Sequence, residues 1–165
     1  MMTHLPDQVI IRVFQPEDLG WIVDRHVVLY EKEQGFDHTF RNYVEDPVKR
    51  FGETMSPENE NLWVAEVQKR RIGIIAVVRV DDTTAQLRWY LVEPEARGHG
   101  VGKLLMKTAI DFCRSAGYHR VFLWTVSQLD AARHLYQAFG FEMTEREEHS
   151  IWGRLQTEER WDMPL

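Results

Sequence analysis

The feature that most constrains this chain is a glycine-rich turn between a predicted strand and a predicted helix. Residues 91–103 read Leu-Val-Glu-Pro-Glu-Ala-Arg-Gly-His-Gly-Val-Gly-Lys, so Pro94 interrupts the strand and three alternating glycines precede an amphipathic helix. Glycine lets a backbone approach a ligand closely, and the first amide groups of a helix attract negative charge. The segment therefore predicts a cradle for an anion such as a pyrophosphate.

Two familiar phosphate-binding motifs do not fit this turn. A nucleoside-triphosphate P-loop that ended in Gly102-Lys103 would need glycine at position 97, which is Arg97. It would also need Ser or Thr at position 104, which is Leu104. A dinucleotide fingerprint that began at Gly98 would need Gly or Ala at position 103, which is a lysine.

The rest of the chain has the periodicity of alternating strands and helices. It predicts strands at residues 8–14, 62–67, 72–80, 85–92, 121–126, 141–147 and 155–163, and helices at 16–35, 42–53, 100–116 and 129–139. The three consecutive strands between 62 and 92 predict an antiparallel meander. No linker, repeat or low-complexity tract divides the chain, so we expect one α+β domain over residues 1–165.

Composition and charge restrict the function. The net charge of -6 and the lack of clustered Lys and Arg argue against a nucleic-acid partner. Cys113, the single cysteine, cannot form an intramolecular disulfide and has no metal-ligand spacing, so we expect a reducing compartment, an inert thiol and no metal. The longest apolar run, residues 74–78, is too short to span a bilayer. The sequence therefore predicts a cytoplasmic protein with no membrane partner.

Two motifs resemble one known family. Residues 97–102, Arg-Gly-His-Gly-Val-Gly, match the Arg/Gln-x-x-Gly-x-Gly/Ala signature of the GNAT superfamily of acyl-coenzyme-A-dependent N-acyltransferases. Residues 131–141, which contain Leu-Tyr-Gln-Ala-Phe-Gly-Phe after a predicted strand, resemble the family's next helix and strand. Residues 21–30, 122–126 and 152–161 further resemble acetyltransferase domains fused to MarR-type regulators. The resemblance implies the GNAT fold, a mixed and mostly antiparallel central sheet of about seven strands flanked by about four helices.

The resemblance also implies an activity and a site. The protein would transfer an acetyl group from acetyl-CoA directly to an amine substrate, with Tyr136 as the general acid that protonates the departing thiolate. The coenzyme pyrophosphate would lie on the glycine turn, and the end of the preceding strand would bind pantetheine. The implied coenzyme-binding residues are Leu91, Val92, Arg97, Gly98, His99, Gly100, Val101, Gly102, Lys103, Ser127 and Tyr136.

Two positions depart from the family pattern. The family often has Asn seven residues before the tyrosine, where this chain has Leu129, so Ser127 or Gln128 would have to replace it. The strand before the cradle offers no carboxylate as a general base, because its polar side chains are Gln86, Arg88 and Tyr90. A more distant carboxylate acting through water, His26 and Glu31 are the alternatives.

Several functional alternatives stay open. A non-catalytic acyl-CoA sensor would keep the cradle but would not need a proton donor. Transfer to a hydroxyl or to a protein N-terminus would differ only in the acceptor. The acceptor itself could be a small amine, an amino acid, an antibiotic or a peptide. The tryptophan-rich C-terminal strands are a candidate edge for a homodimer.

Overall fold

The computed structural model describes residues 8–126 and 130–165. These residues contain seven strands, four α-helices and one 3₁₀ turn. In chain order the elements are β1 (Ile10–Val13), α1 (Asp18–Gln34), α2 (Thr39–Thr54), β2 (Asn61–Val67), β3 (Arg70–Arg79), β4 (Thr84–Val92), the 3₁₀ turn (Pro94–Ala96), α3 (Val101–Ser115), β5 (Arg120–Val126), α4 (Asp130–Phe139), β6 (Glu142–Ile151) and β7 (Arg154–Pro164).

The chain divides into two compact units, of which the first holds residues 8–14, 56–121 and 165 among those described. Its strands pair antiparallel in the order β1-β2-β3-β4. Helix α3 packs on this sheet, and the Trp63 ring meets the Phe112 ring edge-on with 5.1 Å between centroids. β-branched and aromatic side chains fill the strands because they fit a pleated, buried surface.

A glycine in β3 determines how closely α3 approaches the sheet. An added Cβ at Gly73 would lie 2.9 Å from Leu105 Cδ1 and 3.1 Å from the Leu91 carbonyl oxygen. Leu105 is fully buried and Val101 is nearly so. The first two turns of α3 therefore rest directly on β3 at a position where no larger residue fits.

The second unit holds residues 15–55 and 122–164, again among those described. Its strands lie in the order β5-β7-β6, and β6 and β7 form an antiparallel hairpin. Helices α1 and α2 pack on each other, with the Leu19 side chain against Gly52, where an added Cβ would lie 2.4 Å from Leu19 Cδ1. Helix α1 is followed by its C-cap residue Gly35, whose φ of 71° is the left-handed conformation typical of helix ends.

The predicted fold class is confirmed, and the antiparallel meander is β2-β3-β4. Two boundaries differ by three residues or more. Helix α2 starts three residues before the predicted position, because the Asp37 carboxylate accepts hydrogen bonds from both the backbone and the hydroxyl of Thr39. Strand β6 continues past residue 147 to Ile151, since the hairpin with β7 pairs along its full length. The single domain stays a prediction.

Candidate functional site

The loop from β4 to α3 is held by short hydrogen bonds at the end of the sheet. The Glu93 amide donates to the Ile72 carbonyl at 2.8 Å, and the Arg97 Nε donates to the Val92 carbonyl at 3.1 Å. Glu93 is buried, and Glu95 forms an ion pair with Arg70. The hydrogen bonds therefore fix the direction in which the backbone leaves β4. Arg70 offsets the charge of Glu95.

The glycines of the turn adopt conformations that other residues rarely adopt. Gly98 and Gly100 have φ of 81° and 82°, and Gly100 is the N-cap residue directly before α3. An added Cβ at either position would meet no described atom within 4 Å, so backbone conformation, and not crowding, requires glycine here. Both glycines and His99 between them are exposed.

The start of α3 has the properties of an anion site. The first intrahelical bond runs from the Leu104 amide to the Gly100 carbonyl, so the amides of Val101, Gly102 and Lys103 have no acceptor within the helix. Gly100 has no side chain to cap them, and the positive end of the helix dipole lies at this point. Lys103 is exposed and adds a cation. These residues fit a diphosphate group.

Strand β4 contains a bulge just before the cradle. The register with β3 shifts between Ile74 and Ala76, and Trp89 has the unusual φ of 51°. Beyond the bulge, Leu91 pairs with Ile74 and Val92 pairs with Gly73. The predicted pantetheine residues thus lie on a segment whose pairing is offset by one residue from the rest of β4.

Tyr136 lies in the second unit, on helix α4. It is 5% exposed, and its ring centroid lies 6.0 Å from that of Phe141 and 6.2 Å from that of Trp161. The Phe141 amide donates to the Tyr136 carbonyl as the chain leaves the helix at Gly140, which has φ of 107°. The phenol is therefore carried by a helix that is anchored on two buried rings.

The structure adds a charged pair that sequence reasoning missed. Glu159 on β7 is 1% exposed, and its Oε1 lies 3.0 Å from Nε of Arg133 on α4. The Trp161 indole donates to the same oxygen at 3.3 Å. The only signal in the sequence is the two-residue spacing of Glu159 and Trp161, which places both on one face of a strand.

The candidate bases differ in their surroundings. His26 is 4% exposed, and its Nδ1 lies 2.9 Å from the Ile22 carbonyl, to which it donates. Burial lowers the His26 pKa to about 4, so the imidazole is neutral at pH 7. Glu31 is exposed. Burial raises the pKa of Tyr90 above its usual range, so its phenol stays protonated.

An aromatic cluster joins α1, α2 and the β6–β7 turn. The Trp152 ring lies 4.9 Å from Phe36, 5.0 Å from Phe40 and 4.8 Å from Tyr43, measured between centroids. Tyr30 extends the cluster from α1, at 5.1 Å from Phe40. Tyr43 is 49% exposed, so one edge of the cluster faces solvent.

The remaining sequence predictions concern the segment before α4, metal ligands, the membrane and Cys113. Ser127, Gln128 and Leu129 lie outside the described residues. Among residues 8–126 and 130–165, no three His, Cys, Asp or Glu side chains are grouped as metal ligands. The helices of this part of the chain are all too short or too polar to cross a bilayer. Cys113 is fully buried, which raises its pKa to about 12 and keeps the thiol protonated.

Comparison with known proteins identifies similar sequences. The profile of the Acetyltransferase (GNAT) family matches residues 25–141. Human N-acetyltransferase 8B is 37% identical over 98 residues, which are 56% of this chain and 43% of that protein. The N-acetylaspartate synthetase of Danio rerio is 36% identical over 101 residues, 60% of this chain and 36% of that protein. The chain thus spans less than half the length of these two relatives.

Solved structures show the same fold. A putative acetyltransferase of Salmonella typhimurium, solved with acetyl-CoA, has a TM-score of 0.77 at 20% identity and covers 95% of this chain and 94% of its own. Spermidine N-acetyltransferase of Vibrio cholerae, solved with CoA and spermine, has a TM-score of 0.70 at 22% identity and covers 96% of both chains.

Proposed function

The chain belongs to the GNAT family of acetyltransferases, and on that premise we propose that it transfers an acetyl group from acetyl-CoA to an amine. The observation that carries the proposal is the start of α3, where exposed glycines in left-handed conformations precede helix amides that have no intrahelical acceptor. This geometry suits the pyrophosphate of the coenzyme.

The coenzyme-binding residues follow from that position. The backbone amides between Gly98 and Lys103 would bind the pyrophosphate, with the Lys103 ammonium nearby. Leu91 and Val92, past the bulge of β4, would hydrogen-bond the pantetheine through their backbones. Ser127 is proposed on the family resemblance alone. The bound coenzyme would supply a thioester, which an amine can attack without covalent attachment of the acetyl group to the protein.

Tyr136 acts as the general acid in this proposal. The amine nitrogen forms a bond to the acetyl carbon, the bond from that carbon to sulfur breaks, and the phenol donates its proton to the departing sulfur. A phenol with a pKa of about 10 and a thiol with a pKa of about 8.5 are close enough for this transfer when the two atoms are adjacent. The burial of Tyr136 between Phe141 and Trp161 supports a restrained phenol.

A protonated amine must lose one proton before it attacks, and the attacking nitrogen loses a further proton as the amide forms. His26 is a weak base because its pKa is about 4 and its Nδ1–H already donates to Ile22. We therefore propose that water carries the proton from the amine to bulk solvent or to an exposed carboxylate such as Glu31. An acceptor that reaches the site as the neutral amine needs no stronger base.

An amine acceptor agrees with the character of the second unit. The aromatic cluster around Trp152 exposes the Tyr43 ring, and aromatic rings attract cations. The net charge of -6 also favours approach of a cationic substrate. Relatives and structural neighbours whose names include N-acetylaspartate synthetase and spermidine N-acetyltransferase suggest amino acids and polyamines as the first classes to test. We also propose a cytoplasmic location, which rests only on the single cysteine of the sequence.

The test measures thiol release from acetyl-CoA with a panel of aspartate, spermidine and a short peptide with a free N-terminus. Calorimetry first establishes that CoA binds. We expect turnover with one acceptor class, and a fall of at least about tenfold in kcat for Tyr136→Phe with CoA binding unchanged. Tyr118→Phe is the control, since the Tyr118 hydroxyl donates to the Asn59 carbonyl and has no proposed catalytic role.

The possible results separate the alternatives. Failure to bind CoA would contradict the whole proposal. Binding without turnover of any acceptor would favour the sensor. Turnover that is equal in wild type and Tyr136→Phe would leave the transferase in place and exclude this tyrosine as the acid.

A further inference from the structure

A buried ion pair links α4 to β7. Glu159 is 1% exposed, whereas the Arg133 side chain is 35% exposed, and 3.0 Å separates Arg133 Nε from Glu159 Oε1. This Nε–H does not donate an aligned hydrogen bond to any described residue, so the contact is chiefly electrostatic. A carboxylate loses much of its hydration in such a position and needs compensating partners.

Trp161 is the second partner of the buried carboxylate. Its indole Nε1 donates to Glu159 Oε1 at 3.3 Å, and the guanidinium carbon of Arg133 lies 6.0 Å from the Trp161 ring centroid. Trp161 is 2% exposed. The three side chains therefore restrain one another, and the carboxylate sets the orientation of the indole.

Arg133 and Trp161 each connect this cluster to Tyr136. Arg133 precedes Tyr136 by one turn of α4, so both side chains lie on the same face of the helix. Trp161 contacts the Tyr136 ring directly, at 6.2 Å between centroids. A change in the charge of Glu159 would thus disturb both the helical turn and the ring against which the phenol rests.

An ion pair of this kind is weak evidence for a stabilising role. Replacing a buried ion pair with neutral side chains of similar volume is often neutral or stabilising, because the pair must lose its hydration. We propose that Glu159 is a positioning residue, which holds Tyr136 in its catalytic orientation through Arg133 and Trp161. This inference rests on the proposed function, in which Tyr136 is the general acid.

The first test is Glu159→Gln, which keeps the size of the side chain and removes its charge. We expect kcat to fall about tenfold while KM for acetyl-CoA stays the same, since positioning affects proton donation and not coenzyme binding. Glu158→Gln is the matched control on the same strand, because Glu158 pairs with His149 and not with α4. It should retain the wild-type kcat.

A double-mutant cycle with Tyr136→Phe asks whether Glu159 acts through the phenol. If it does, Glu159→Gln lowers kcat in the wild-type background and has almost no effect when the phenol is absent. Equal losses in both backgrounds, or an unchanged kcat in Glu159→Gln alone, would overturn the positioning role. Wild-type activity of Tyr136→Phe would instead refute the proposed acid.

A second variant and a second readout test the proposal even if Glu159→Gln does not fold. Arg133→Met combined with Glu159→Gln leaves no buried charge uncompensated and should lower kcat to the same extent. In NMR spectra of protein with labelled tyrosine rings, Tyr136 is assigned by its absence in Tyr136→Phe. We expect its resonances to move in the double variant and not in Glu158→Gln; unmoved resonances would overturn the proposal.

Discussion

His26 is a buried histidine whose protonation is coupled to folding. Its ring is 4% exposed, stacks on Tyr30 at 6.0 Å between centroids, and donates from Nδ1 to the Ile22 carbonyl. Burial lowers the pKa from 6.5 to about 4, because the charged form would lose its hydration. Between these values the unfolded chain binds the proton more tightly than the folded protein does.

The free energy of unfolding should therefore fall as the pH drops from about 6.5 to 4. The stability that depends on neutral His26 is fully present above pH 6.5. About 3 kcal/mol of unfolding free energy is lost as the pH falls from 6.5 to 4. Urea unfolding across this range should show a weaker pH dependence in His26→Leu than in the wild type. His134→Leu, at an exposed position on α4, is the control. Equal slopes in wild type and His26→Leu would refute the coupling.

Among the elements, the β6–β7 hairpin depends on a demanding turn. Its two central residues, Trp152 and Gly153, have φ of 52° and 86°, as a type I′ turn requires. Tryptophan rarely adopts this conformation, and its ring is held by the aromatic cluster. The Asp37 amide also donates to the Trp152 carbonyl at 2.8 Å. Tertiary contacts therefore maintain a turn that local preference opposes.

A comparison of Gly153 in this turn with Gly117, between α3 and β5, separates backbone strain from crowding. Gly153 and Gly117 have φ of 86° and 87°, but an added Cβ at Gly153 would lie 2.8 Å from Asp37 Oδ2 and 3.1 Å from Asp37 Cβ. At Gly117 it would meet no described atom within 4 Å. Alanine at either position should cost about 1–2 kcal/mol of unfolding free energy, and Gly153→Ala roughly 1–3 kcal/mol more. Urea unfolding measures both, and equal losses would contradict the crowding.

For the whole molecule, coenzyme binding and folding stability should be linked. The cradle exists only in the folded chain, since it needs α3 packed on Gly73 of β3. A ligand that binds only the folded state stabilises it in proportion to the logarithm of its concentration relative to Kd. The proposed function therefore predicts a thermal effect that requires no acceptor.

CoA at about 100 times its Kd should add about 2.7 kcal/mol to the free energy of unfolding. Calorimetry should then show that Tm rises by roughly 5–10 °C. Gly100→Ala should reduce this increase at the same CoA concentration, because alanine rarely adopts the φ of 82° that Gly100 has at the N-cap of α3. Gly20→Ala in α1, where a Cβ meets no described atom within 4 Å, should keep the full increase. An unchanged increase in Gly100→Ala would argue against the cradle.

Elements and motifs that are local in sequence were predictable. Periodicity and residues a few positions apart determine the glycine turn, the helix that follows it and the meander. The glycine turn in particular indicated the anion cradle at the start of α3 and the family. The position of Tyr136 on α4 followed from the second motif in the same way. The early start of α2 was missed although its signal is local: the Asp37 carboxylate that accepts hydrogen bonds from Thr39 lies two residues before it.

The sequence by itself determined the order of the elements, the conformation of the glycine turn and the residue types at the proposed site, because these depend on short-range backbone geometry. Tertiary structure alone decided that Glu159 meets Arg133 under α4, that His26 is held neutral, and that Trp152 adopts a left-handed φ. Each of these depends on burial and on partners distant in the chain, and a pattern of neighbouring residues contains no information about which distant side chain will compensate a buried charge.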